Sequence, residues 1–375
     1  MRSRVLIPML LLSMHLCGIC LSADISIHSG LNYNWWDSDA NDRGSQTYVP
    51  ITIDGVHQNI SFAVLTAFAH TDGSPPETDA SKQSLSSVID TKVNLSYSVV
   101  DRLPVDLLFG VDVNLPTGKT KLDFTELQLL RNPDLVSITR YGEGFNVNPT
   151  ITVAKQQERW AVGLGVGYLW RGEYDFSEDI VDYDPGDIVN VTAEAVYAFT
   201  DRWQGRLFGE FAFYGTDELD IQEYYREGDY LLAGVGADYI EQQWEASLSA
   251  KGIFRGKSEF QEENLALSTE DNNSYGDEYQ MDLTGLWRLD SLTTISSNLQ
   301  YLYLMENDYS STSPLYMGKK QKVSLGVALQ RQLPYALTGT VGLKGYLLDE
   351  DRNWYHADDR RYRGFLVDLS FSKAF

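Results

Sequence analysis

Trp160-Ala161-Val162-Gly163-Leu164-Gly165-Val166-Gly167-Tyr168-Leu169-Trp170-Arg171 is the stretch that decides the fold. Trp160, Val162, Leu164, Val166, Tyr168 and Trp170 fall at every second position. Ala161, Gly163, Gly165, Gly167, Leu169 and Arg171 fill the gaps. Successive side chains in a strand point to opposite faces, so this segment has one large apolar face and one small or polar face. It outruns the roughly five or six residues usual in soluble sheets and reaches the roughly ten that a tilted strand needs to cross a bilayer. Its oily face begins and ends on tryptophan, as a membrane barrel places aromatics at both interfaces.

The same alternation recurs outward from there. Val105, Leu107, Phe109, Val111, Val113 and Leu115 oppose Asp106, Leu108, Gly110, Asp112 and Asn114. Phe145, Val147, Pro149, Ile151 and Val153 oppose asparagines and threonines. Trp244, Ala246, Leu248, Ala250 and Phe254 oppose Glu245, Ser247, Ser249, Lys251 and Arg255. Leu337, Val341, Leu343 and Leu347 oppose Thr338, Thr340, Lys344 and Tyr346. The final segment puts Phe365, Val367, Leu369, Phe371 and the terminal Phe375 on one face. An alternating strand closed by an aromatic resembles the assembly signal of outer-membrane proteins, which assigns that role to Phe371 and Phe375.

Connections alternate in length. Short turns stand at 101–104, 156–158, 200–202, 241–243, 290–291 and 333–335, and longer polar stretches at 72–84, 117–144, 173–186, 215–227, 257–276, 306–318 and 350–360. Short periplasmic turns and long outer loops give this rhythm. Counting between them predicts an all-β, transmembrane, antiparallel up-and-down barrel of about sixteen strands. The count falls to about fourteen if the segment Thr47–Ile53, interrupted by Pro50, is not in the wall.

The N-terminus sets the compartment. Arg2 and Arg4 precede an apolar run from Val5 to Leu12, and small residues Ser22 and Ala23 precede Asp24. This is the layout of a secretory signal peptide, with cleavage expected after Ala23 and a barrel over 24–375. Cys17 and Cys20, the chain's two cysteines, leave with it, so no disulfide or thiolate metal site is expected. The net charge of −23 excludes the basic faces that nucleic acid requires. Strong acidity without aromatics would suggest disorder, but 23 Tyr, 15 Phe and 8 Trp speak instead for aromatic girdles around a wet lumen.

No segment matches a cofactor motif. Gly118-Lys119-Thr120 lacks the glycine of a phosphate-binding loop, since Val113 occupies its place. Gly163, Gly165 and Gly167 lie within a strand, where they make room for something, such as an inward-folded loop. His70 with Asp72, and His356 with Asp358 and Asp359, fall at the outer rim and would carry a rim hydrolase reading. The acidic stretch 182–187, with Glu178 and Asp179 before it, is a solvated loop or a calcium site. In the long loop 117–144, Phe124 to Leu130 has helical spacing, Asp123 is placed to cap it, and Asn132-Pro133-Asp134 ends it. Such loops are often functional, and this one is expected to fold inward or to stay at the surface. The polar face offers Asp90, Lys92, Asp106, Asp112, Arg171, Glu194, Arg206, Glu210, Glu245, Lys251, Asp282, Arg288, Lys344 and Asp368 as pore-lining candidates. Mixed charges on facing walls orient polar solutes, or pair and brace the barrel.

Val111-Asp112-Val113-Asn114-Leu115-Pro116-Thr117-Gly118-Lys119 resembles a stretch of outer-membrane transporters of the phenol meta-pathway (MetA-pathway) type, where a strand enters a loop through Leu-Pro-Thr-Gly. The turn Asp201-Arg202-Trp203 and the closing Phe375 are similar too. The resemblance implies a Gram-negative outer-membrane barrel and uptake of aromatic compounds. The reading is a porin-like, non-enzymatic channel for small solutes, without cofactor or metal. Its partners are outer-membrane lipids, the barrel-assembly machinery and the solute, and a monomer is preferred to a trimer. A loop-plugged structural or adhesive barrel is the alternative.

Overall fold

The computed structural model describes residues 24–74, 83–353 and 356–375. The export signal expected over 1–23 lies outside them. Strands β1 (Asp24–Ser38), β2 (Arg43–His57), β3 (Ile60–Gly73), β4 (Gln83–Val88), β5 (Thr91–Val99) and β6 (Asp106–Leu115) precede a short helix, α1 (Phe124–Leu127). Then come β7 (Asn146–Gln157), β8 (Trp160–Arg171), β9 (Tyr183–Asp184), β10 (Ile188–Ala198), β11 (Trp203–Tyr214), β12 (Thr216–Leu219), β13 (Gln222–Arg226) and β14 (Tyr230–Ile240). The chain ends with β15 (Trp244–Arg255), β16 (Glu259–Gln261), β17 (Leu267–Thr269), β18 (Glu278–Arg288), β19 (Thr293–Leu304), β20 (Lys320–Leu333), β21 (Leu337–Glu350) and β22 (Arg360–Ala374).

The long strands pair antiparallel with their sequence neighbours, and β22 pairs back onto β1, with Leu31 opposite Leu369 and Tyr33 opposite Val367. The sheet is therefore closed. It has sixteen crossings, β4 and β5 being successive pieces of one of them. Closure leaves no edge apart from the outer side of β4, which pairs only with β3 among the described residues, and so meets the condition for a sheet in lipid over the rest of the wall. The hairpin around Pro50 is in the wall: β2 pairs with β1 and β3, with Pro50 opposite Ala67. Proline lacks a donor, and the β1–β2 ladder is interrupted there, between Ser29–Ile51 and Asn32–Tyr48. The same happens at Pro149, where the β7–β8 ladder skips from Val147–Trp170 to Thr150–Gly167.

Leu31, Ile51, Phe109, Leu164, Val235, Leu283, Leu325, Leu343 and Leu369 are among the many large apolar residues that stay exposed. They occupy alternate positions on every strand and form a continuous outer belt. In water such a surface would aggregate; in a bilayer it faces hydrocarbon. Aromatics rim it. At the turn end Trp160 packs against Tyr197 (4.5 Å), Tyr197 edge-on against Phe199 (5.0 Å), Trp203 edge-on against Tyr239 (4.8 Å) and Tyr239 against Trp244 (4.6 Å). At the loop end Phe145 meets Trp170 (6.0 Å) and Phe254 meets Tyr279 (6.1 Å). Above the barrel, β9, β12, β13, β16 and β17 form a second, five-stranded sheet from the loops after β8, β11 and β15.

Candidate functional site: the lumen and its inward segment

The buried apolar clusters do not fill the barrel centre. Two of them lie between the wall and the segment joining β6 to β7. Leu122, Leu129 and Tyr141 of that segment pack on Ala67 and Ala69 of β3, Leu85 of β4 and Ile89. Leu135 and Val136 pack on Trp36 of β1, Tyr346 and Leu348 of β21 and Tyr362 of β22. Each of these wall residues stands on the face opposite the exposed belt, so the segment lies inside the barrel. It lines one side, from β4 through β1 to β20.

Its backbone needs partners there, because a buried polar group without one is costly. Lumen-facing side chains supply them. Gln46 acts as a substitute strand: its Nε2 donates to Ile138 O (2.8 Å) and its Oε1 accepts from Ile138 N (2.8 Å). Asn34 Nδ2 donates to Ser137 Oγ (3.0 Å). Thr71 and Tyr141 share a hydroxyl bond (2.8 Å), and burial pushes the Tyr141 phenol up to about 12, so it stays a neutral donor. On the far side Lys320 Nζ reaches Asp134 Oδ2 (3.3 Å) and Glu350 Oε1 (3.2 Å), while Lys322 Nζ donates to Asp134 O (2.5 Å). Arg131 pairs with Asp42 (3.2 Å), which also accepts from Trp36 Nε1 and Tyr362 Oη.

The two limbs of the segment meet at Asp90, in the break between β4 and β5. Asp90 Oδ2 accepts from Asn114 Nδ2 (2.7 Å) and Glu143 N (2.6 Å), and Oδ1 accepts from Gly118 N (2.8 Å). Thr117 Oγ1 accepts from Thr91 N (2.8 Å) and bonds Ile89 O (3.2 Å). Gly118 has no room for a side chain, since a Cβ there would stand 1.9 Å from Tyr141 O. Leu115-Pro116-Thr117-Gly118 is thus the seam where the segment leaves the wall. The helix inside the segment is shorter than its spacing predicts. Asp123 caps it, accepting from Thr125 N and Glu126 N, with Glu126 reaching back to Asp123 N. It ends at Leu127, and Leu129 N and Leu130 N then bond three residues back, the tighter turn that brings Leu129 onto the wall.

The charged candidates divide by what they touch. Asp106 accepts from Asp101 N (2.9 Å) and braces a short turn. Glu245 and Arg288 pair with each other near another. Arg171 belongs to the loop end, where it donates to Gly186 O and pairs with Asp217 (3.3 Å). Along the wall Asp112 accepts from Asn94 Nδ2 (2.7 Å), Asp282 from Gln300 Nε2 (2.9 Å), Asp368 from Ser370 Oγ (3.3 Å) and Glu210 from Tyr230. Lys344 Nζ donates to Gln300 Oε1 (3.3 Å). The Arg206 guanidinium lies over the Phe208 ring (5.6 Å) and against Gly236, while the ring covers Gly234. Lys92, Glu194 and Lys251 share the inner face with them by register. Arg206, Asp238, Ser247, Asn298, Lys344 and Asp368 border a lumenal cavity of about 620 Å³.

Two expectations change, at the strand glycines and at His356. Gly165 and Gly167 make room for Thr152, Thr192, Asn148 and Asn190 of the adjacent strands, not for the inward segment, which lies against other strands. His356 bonds Asn353 Nδ2 (2.9 Å) and the backbone carbonyl of Asp358 (2.7 Å), and so ties its own loop rather than facing the Asp358 carboxylate. Asp187 and Asp217 of the acidic loops each take protein donors, Tyr168 and Arg171 for one, Tyr183 and Gly186 for the other. The sequence reading missed Gln46, Asn34, Lys320 and Lys322. Alternation against Val323, Leu325 and Val327 was the available signal for the two lysines.

A closed barrel of sixteen crossings with an apolar belt, aromatic girdles and a polar lumen is a bacterial outer-membrane protein. Residues 135–269 match the model of the family described as the MetA-pathway of phenol degradation, the family that the chain was expected to resemble; the Leu-Pro-Thr-Gly stretch at 111–119 lies outside the matched residues. Similar solved structures include OccK2 of Pseudomonas aeruginosa (9% identical, covering 94% of this chain and 98% of that one, TM-score 0.49). Others are OccAB1 of Acinetobacter baumannii (7%, 93% and 96%, 0.48) and an outer membrane channel from Pseudomonas putida (11%, 96% and 97%, 0.41). No curated protein matches the chain.

Proposed function

We infer that the chain is a passive outer-membrane channel for small solutes, narrowed by the inward segment 117–144. One observation carries this reading: the segment is fastened to the wall from β4 through β1 to β20, while nearer the short turns the wall from β11 to β22 keeps an open cavity with charges of both signs. Facing charges orient a polar solute in transit without binding it tightly. The name of the matched family supports aromatic compounds as the solute, and Phe208, stacked under Arg206 in the lumen, offers a surface for them.

The test is single-channel recording of the purified, heat-modifiable barrel in a planar bilayer. Steady conductance that rises on deletion of 120–143 is the expected result. Silence from a folded barrel, with and without the segment, would overturn the open-channel reading in favour of a plugged one.

A further inference from the structure

We propose that Ser86, His70 and Asp72 form a hydrolytic site on the lipid-facing side of the barrel, acting on acyl esters of amphiphiles in the outer leaflet. The register of β3 and β4 sets Phe68 opposite Val88, His70 opposite Ser86 and Asp72 opposite Ser84. Phe68 and Val88 are each 45% exposed and belong to the apolar belt. The intervening Ala67, Ala69, Thr71 and Leu85 are buried beneath the inward segment. His70, Ser86 and Asp72 therefore point outward, one and two rungs loopward of the last lipid-contacting pair. That level is the boundary between hydrocarbon and headgroups, where the ester carbonyls of membrane amphiphiles lie.

The geometry is that of an activated nucleophile. Ser86 Oγ stands 2.5 Å from His70 Nδ1, and His70 Nε2 stands 3.1 Å from Asp72 Oδ2. Asp72, by accepting from Nε2–H, fixes the tautomer whose free lone pair is on Nδ1, facing the serine hydroxyl. The bond from Ile89 N to Ala67 O sets the phase of the ladder, so His70 and Ser86 are a non-hydrogen-bonded pair with close side chains. The Ser86 N–H then points away from β3, to an edge that no strand pairs among the described residues. It is the backbone donor beside Oγ for an oxyanion.

In the first step Oγ bonds to the ester carbonyl carbon while its proton passes to Nδ1, and the carbonyl electron pair moves to oxygen. Collapse breaks the bond to the alcohol oxygen, which takes the proton from Nδ1 and leaves an acyl ester on Ser86. Water then attacks that ester, giving its proton to Nδ1. Ser86 recovers the proton as the carboxylic acid departs. Ester and water become acid and alcohol with no other reactant.

The experiment uses the full chain in detergent, a fluorophosphonate probe, p-nitrophenyl esters of short and long acyl chains, and phosphatidylcholine vesicles. Probe on Ser86 and faster turnover of the long-chain micellar ester than of the short soluble one are expected. Ser86→Ala should abolish both labelling and hydrolysis. His70→Asn should lower kcat by about 10²- to 10⁴-fold. Asp72 is a positioning residue: Asp72→Asn should lower kcat at least about tenfold with KM unchanged, and Asp72→Glu should restore part of it. All three side chains are on the outer surface, so heat-modifiability and conductance serve as controls for the fold. An unlabelled Ser86 in the folded protein, or a full rate in His70→Asn or Asp72→Asn, would overturn the site. Equal rates on short and long esters would overturn the lipid substrate.

Discussion

Replacing Asp90 by asparagine tests whether the segment 117–144 is held in the lumen by its base. The Asp90 carboxylate is buried and meets three donors, Asn114 Nδ2 from β6, and Gly118 N and Glu143 N from the two limbs of the segment. Asparagine keeps the shape but offers one acceptor oxygen and one amide NH2. Either orientation turns the NH2 toward at least one of these donors, leaving it unmet at a cost of about 1–3 kcal/mol. The bonds that survive lose their charge assistance, which roughly halves them. The sum is about 3 kcal/mol, or about a hundredfold shift from docked toward released segment. In single-channel records, Asp90→Asn should show excursions to the conductance of the 120–143 deletion about a hundred times more often than the parent. An Asp90→Asn barrel that folds, conducts and shows the parent's event frequency would refute the staple.

Three further outcomes follow from the same structure. Lys320→Met leaves Asp134 and Glu350 buried without the ammonium between them, a loss of about 3–5 kcal/mol, and trypsin should then cleave after Arg131 or Arg140 in the folded barrel. Glu173 and Asp184, in the loop after β8, have raised carboxyl values, through desolvation first and then the carboxylates around them. A raised folded value favours the protonated form, so the loop is tightest below the ordinary carboxylate range and loosens as pH rises through the shifted values. Proteolysis of this loop should follow that window and lose part of its pH dependence in Glu173→Gln; an unchanged profile would count against the cluster. Deleting Phe375, whose N–H donates to Ile25 O (2.9 Å) at the barrel seam, should lower the yield of heat-modifiable protein in the outer membrane with little change in the conductance of what assembles.

The wall was legible because its physics is local. A strand in lipid must alternate, and side-chain direction follows from position parity alone, so Trp160 to Arg171 announces two faces without any tertiary information. The short turns were readable for the same reason. Even Pro50 misled only mildly: proline removes one donor, and the barrel accommodates it by interrupting the β1–β2 ladder there. Asp90, Arg206 and Lys344 could be assigned to the inner face, but not to partners distant in the chain, such as Glu143 for Asp90, Gly236 for Arg206 and Gln300 for Lys344.

Where the long segment goes depends on contacts between residues far apart in the chain. Gln46 meets Ile138, Lys320 meets Asp134, and Asp90 gathers Asn114, Gly118 and Glu143. No periodicity announces these pairs, since each exists only once the sheet closes and brings β20 beside β1 through β21 and β22. The constellation of His70, Asp72 and Ser86 has the same origin. Parity alone puts His70 and Asp72 on one face, but only the register between β3 and β4 sets Ser86 across from the imidazole. Sequence thus determined the barrel, its compartment and which face of each strand is polar, because these follow from period and composition. Tertiary structure decided what the lumen contains and which outward side chains meet, because register and closure are properties of paired strands.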